Sequence, residues 1–154
     1  MYADLWNIFL LWTFFRTEDG PSILNNAQTI LPDYSEYKYV RENPVYVNKK
    51  ETTTRIVRVA CSDKETRLEL ESEATFANYW VSVSGKSFIM GNKGGKLTLE
   101  ATENITMTPA RTYIPWTYQK LRFVLIFPAL PEEADEFHFF EPATTWQFRN
   151  IKCK

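Results

Sequence analysis

Reactive side chains are few in this sequence. His138 is its one histidine and Cys61 and Cys153 its two cysteines. The cysteines form neither a CxxC pair nor a ligand-spaced set with His138, so the spacing predicts neither a redox motif nor a zinc site. Two readings remain for the thiols. If they meet in space in an oxidising compartment, a disulfide between Cys61 and Cys153 closes a long loop, worth on the order of 4 kcal/mol in chain entropy. Otherwise they are separate thiols, one in a strand and one near the tail.

Glu132, Glu133, Asp135 and Glu136 could serve as a cation site or as acid–base carboxylates. Four acids in a loop after Pro131 read more simply as a solvated cap. His138 lies between Phe137 and Phe139 without a nucleophile or second ligand beside it, so a structural role is expected. The stretch MGNKGGKL at residues 90–97 suggests a phosphate loop, but the GxxxxGK[ST] spacing is not met, and it reads as a turn. No catalytic residue, metal site or cofactor is expected.

Residues 112–118, TYIPWTY, carry the strongest binding signal, because Tyr113, Trp116 and Tyr118 flank a proline just before a long strand. Aromatics presented in a loop can stack on a sugar or grip a partner peptide. The alternative is that Tyr113 and Trp116 fold back over an open end of the fold. Trp80 and Trp146 sit in strand contexts and read as packing residues.

Those few groups must be held by a frame that the rest of the chain describes. At 154 residues, with 44% hydrophobic and 16% aromatic content, the length and composition are those of one ordered domain. Lys and Arg number 18 against 19 for Asp and Glu, so no positive field is present to draw nucleic acid.

The first 33 residues form a separate apolar segment and linker, with the main domain expected over 34–154. From Leu5 to its end at Phe15 the chain reads LWNIFLLWTFF, short of the roughly 20 residues a membrane-spanning helix needs. It starts MYAD and lacks the positive charge of a good secretory signal. Three roles stay open for it: an altered leader, a buried segment, or an anchor facing a membrane or partner.

From about Tyr37 onward apolar and polar residues alternate in short runs broken by turn residues, the mark of antiparallel strands. In residues 55–61 the expected inward set is Val57, Val59 and Cys61, with Arg58 opposite; in 66–71 it is Leu68 and Leu70. The polar stretch Ser62, Asp63, Lys64, Glu65 joins the two as a hairpin. Further strands are expected over 79–83, 87–90, 96–99, 104–107, 136–140 and 146–151. Residues 120–127 turn apolar on both faces, which suits a central strand. The predicted fold class is therefore all-β, an antiparallel two-sheet sandwich of immunoglobulin-like kind.

Several of these segments also resemble a known group of domains. The run Asn43-Pro44-Val45-Tyr46, then SDKETRLEL from Ser62 and YWVSV from Tyr79, is similar to the N-terminal β-rich domain of exported proteins of gut anaerobic bacteria. LRFVLIFPALP from Leu121, EFHFFE from Glu136 and WQFRNI from Trp146 resemble that family's ending, with Ala129 where it tends to have proline. The resemblance implies an extracytoplasmic, sandwich-like accessory domain of the kind that precedes a thioredoxin-like or peroxiredoxin-like domain; it transfers no catalytic residue. The expected function is non-enzymatic: binding or positioning a partner protein or glycan, without nucleic acid. The alternatives are a structural protein that docks through residues 5–15 and an enzyme of unrecognised type.

Overall fold

The computed structural model describes residues 33–49, 52–142 and 146–154. The apolar run from Leu5 to Phe15, and with it the leader, core and anchor readings, lies outside the described residues.

Period-two alternation becomes strands as the sequence predicts. β3 (Thr54–Cys61) and β4 (Glu65–Glu73) form the expected hairpin. Its turn is closed by Ser62, whose backbone N–H donates to the Glu65 carbonyl at 3.0 Å and whose hydroxyl accepts from the N–H groups of Lys64 and Glu65 at 3.1 Å. Four antiparallel pairings place β1 (Tyr39–Glu42), β3, β4, β10 (Lys120–Pro128) and β8 (Ala101–Glu103) in one sheet, in that order. β10 lies between β4 and β8 and ends at Pro128, the central position its two apolar faces call for.

A second antiparallel sheet runs β2 (Val47–Asn48), β12 (Gln147–Lys152), β11 (Glu136–Phe140), β6 (Phe88–Gly91), β7 (Lys96–Thr98). The two sheets pack together as an all-β sandwich. Leu68, Leu70, Phe123, Leu125 and Phe127 from the first meet Ile89, Phe137, Phe139, Phe148 and Ile151 from the second in one core. The contacts across the layers are aromatic: Phe127 meets Phe139 edge-on at 6.0 Å, and Phe123 stacks on Trp146 at 5.6 Å. Trp146 is buried, as its strand context predicts.

Three local expectations are corrected. A register shift between Ile56 and Arg58 makes Val57 the extra residue of a β-bulge, so Ile56 is buried as well as the expected Val57, Val59 and Cys61. The strand expected at 104–107 instead forms earlier, as β8, and ends at Glu103, because the next residue, Asn104, has a φ of 66° that breaks the ladder. The expected strand 79–83 is shorter, β5 (Tyr79–Val81), with Val83 in an isolated parallel bridge to Met107.

The outward face of the first sheet is an ionic ladder built on register partners. Glu71 accepts from Arg55 on one neighbouring strand at 3.2 Å and from Arg122 on the other at 3.1 Å. Arg58 joins Glu42 at 2.6 Å and also bonds its partner Glu69. Burial works to raise the Glu71 carboxyl, but the hydrogen bond from Arg122 and the charges of Arg55 and Arg122 outweigh it and hold the group below the usual carboxylate range. These charges are paired within the sheet and make a structural surface.

Candidate functional site

β5 pairs with β9 (Thr112–Ile114) in a separate two-stranded ribbon. Residues 112–118, expected as a loop, are therefore half strand and half turn. The alternation of the ribbon decides where its aromatics go. Val81 and Ile114 are buried and Tyr79 packs against the core, so Trp80 and its register partner Tyr113 face solvent together.

Beyond the ribbon, two turns are joined by backbone hydrogen bonds. Asn78 N–H donates to the Pro115 carbonyl at 3.1 Å, Tyr118 N–H to the Ala74 carbonyl at 2.8 Å, and Ala74 N–H to the Gln119 carbonyl at 2.9 Å. Gln119 also caps the turn from within, its side-chain oxygen accepting from Trp116 N–H at 3.3 Å. Asn78 and Tyr118 hold φ values of 60° and 67°, the left-handed geometry that tightens each turn. The aromatic side chains thus stand on a hydrogen-bonded frame rather than on a long open loop.

Their exposure is large: 56% for Tyr113, 70% for Trp116 and 76% for Tyr118, joined by Trp80 at 42% and Phe76 at 58%. Ile114 joins the core, whereas Tyr113 and Trp116 do not fold back into it. The Arg111 guanidinium lies 4.3 Å from the Trp80 ring centre and places a cation and hydrogen-bond donors at the edge of the set. Phe76 meets Tyr79 edge-on at 5.0 Å. Trp80, Phe76 and Arg111 were not expected here. For Trp80 the signal was in the sequence, since inward Tyr79 and Val81 force it outward; nothing comparable marked Phe76.

The acidic residues after Pro131 do not converge. Glu132 pairs with Lys38 at 2.7 Å, Asp135 accepts from the Asn92 side chain at 2.8 Å, and Glu136 binds Lys152 and, at 2.7 Å, Asn150. His138 Nδ1 accepts from Asn150 N–H at 3.0 Å, a backbone contact where the β11–β12 register shifts. Among the described residues no group of three His, Cys, Asp or Glu side chains is placed to hold a metal ion. In residues 91–95 the phosphate-loop stretch is a turn between β6 and β7, with Gly94 at φ 91° against Pro131.

The two cysteines are free thiols. Cys61, at the end of β3, and Cys153, just past β12, are both buried in the one core. Interaction with Cys153, then burial, pushes the Cys61 thiol up; interaction with Cys61, helped by Lys154, outweighs burial and draws the Cys153 thiol down. Cys61 lines a cavity of about 380 Å³ whose walls include Tyr37, Lys38, Asp63, Glu132 and Lys154.

Compared with models of known families, with curated proteins and with solved structures, the chain matches none of them.

Proposed function

We propose that this chain is a non-enzymatic accessory domain, acting outside the cytoplasm, that recognises a glycan through Trp80, Tyr113, Trp116 and Tyr118. One observation carries the reading. Among the described residues, every exposed large apolar side chain at this end of the molecule is a flat ring, whereas the exposed aliphatics Val40, Val45 and Val47 belong to the β1–β2 region.

Flat rings suit the C–H face of a pyranose, which is apolar and planar, while its hydroxyls need donors and acceptors at the rim. Arg111 and the polar groups of the two turns supply those. The turns are pre-ordered by backbone hydrogen bonds, which lowers the ordering cost of binding. A protein partner remains the second reading, because Tyr, Trp and Arg also lead the composition of protein interfaces. The resemblance of the Asn43-Pro44, Leu121 and Trp146 segments to exported accessory domains supports the extracytoplasmic setting.

Affinity electrophoresis through gels containing soluble β-glucan, xylan or mannan tests the proposal. Retardation in one of them, lost in Trp116→Ala, is expected; unchanged mobility in all three, with capture by an immobilised partner protein instead, selects the second reading.

A further inference from the structure

We propose that the outward face of the second sheet docks an acidic, extended segment of a partner protein, held by Lys96 and Arg149 on either side of the Phe88 and Phe140 rings. The inference is independent of the aromatic end, which is built on β5, β9 and the turns beside them. It rests on a contrast between the two sheets. On the first, Arg55, Arg58, Arg67 and Arg122 are each paired with a carboxylate. On the second, Lys152 pairs with Glu136, but Lys96 and Arg149 have no carboxylate partner among the described residues.

Alternation places these groups on one face. In β6 and β11, Ile89, Phe137 and Phe139 turn to the core, so Phe88, Met90, His138 and Phe140 turn outward. Phe88 and Phe140 are register partners with ring centres 5.2 Å apart. From the flanking strands, the Lys96 ammonium lies 4.6 Å from the Phe88 ring centre and the Arg149 guanidinium 5.0 Å from that of Phe140. The order across β7, β6, β11 and β12 is therefore cation, ring, ring, cation. The rings hold both cations in place without using their N–H donors. Arg149 Nε makes no hydrogen bond although protein covers it, so this guanidinium keeps unmet donor capacity.

Charge complementarity makes the occupant acidic, and the other side chains make it a protein. Phe, Met and Arg are types that protein interfaces gather, and this face offers Phe88, Phe140, Met90 and Arg149 together. The two rings are half-buried beneath their cations, so neither stands clear to stack on a sugar or enter a bilayer. A carboxylate at each end of the row pairs with Lys96 or forks onto Arg149, and apolar side chains between them meet the ring edges and the adaptable Met90. The path from one cation to the other is one that about four residues of extended chain cover, which sets the spacing of the two acids. Glu136, on the same face, is neutralised by Lys152 and does not repel them.

The probes are fluorescein-labelled peptides with two glutamates set about two to six positions apart and leucine and serine between, titrated with the folded full chain by fluorescence anisotropy. Binding is expected to be strongest at a separation of about four. Each glutamate replaced by glutamine is expected to weaken it about tenfold, the worth of a hydrogen bond to a charged group. Lys96→Glu, at an exposed position, is expected to remove most of the difference between glutamate and glutamine peptides, while Lys64→Glu, the same charge change in the β3–β4 turn, leaves it intact. The proposal is overturned if no peptide binds, if glutamate and glutamine peptides bind alike, or if the two lysine variants act equally. Capture of the chain by polygalacturonate beads or phosphatidylglycerol vesicles in place of the peptides overturns it too. The wild-type comparison of glutamate with glutamine peptides decides the claim without any variant.

Discussion

Trp80 and Tyr113 sit opposite one another in the β5–β9 ribbon, and both turn outward while their neighbours Val81 and Ile114 turn in. With about half of its surface left in water, this pair of rings adds less to folding than a buried pair would. Its persistence on a hydrogen-bonded frame is what directs attention to recognition. The stability consequence separates this surface from the core.

Trp116→Ala and Tyr118→Ala are each expected to change stability by no more than about 1 kcal/mol, whereas Phe127→Ala, fully buried between the sheets, is expected to cost about 3–5 kcal/mol. Denaturant midpoints of the three variants give the comparison. A loss at Trp116 as large as that at Phe127 would place its ring in the core and remove it from the site.

Glu71 links stability to acid. Its carboxyl is held below the unfolded value of about 4.3, so its contribution is fully present above that value and is lost as pH falls through the lower folded one. Thermal unfolding midpoints of wild type should therefore drop across that acid window more steeply than those of Glu71→Gln. Parallel curves for the two proteins would show that the Arg55 and Arg122 pairings contribute nothing.

Gly94 occupies a φ of 91°, and a Cβ there would come within 2.5 Å of Pro131 Cγ. Gly94→Ala combines left-handed strain with a collision against a rigid ring, and a loss of about 1–3 kcal/mol is expected. Gly95→Ala is the control, since a Cβ at Gly95 meets nothing within 4 Å. Chemical denaturation of both variants checks the difference.

If an oxidant joins Cys61 to Cys153, the oxidised chain should be the more stable form. A disulfide between Cys61 and Cys153 restricts a long loop of the unfolded state, worth about 4 kcal/mol by chain entropy. Unfolding midpoints with and without a reductant measure it, and Cys153→Ser should show no dependence on the reductant.

Much of this frame is legible in the sequence because alternation is a local property. The hairpin at Ser62, the central strand from Lys120 and the inward Leu68 and Leu70 follow from period two and turn chemistry alone. What alternation cannot supply is an interruption of itself. The bulge at Val57 adds Ile56 to the buried set through pairing with β4, and Asn104, just past β8, ends that strand through a backbone conformation that no neighbouring residue announces.

The candidate site divides along the same line. Tyr113, Trp116 and Tyr118 stand out as aromatics around a proline, but their company does not, because Phe76 and Trp80 come from a segment far away in sequence that only the β5–β9 pairing brings alongside. That Cys61 and Cys153 share one core is likewise a product of sheet packing, which spacing along the chain leaves open.

The most direct test of glycan recognition is the migration of the wild-type chain and of a Trp80→Ala, Trp116→Ala double variant through native gels with and without soluble β-glucan, xylan or mannan. At least one polysaccharide is expected to slow the wild type relative to the double variant, with equal migration in plain gels. Wild-type migration that no polysaccharide alters, or slowing that survives loss of both rings, would contradict it.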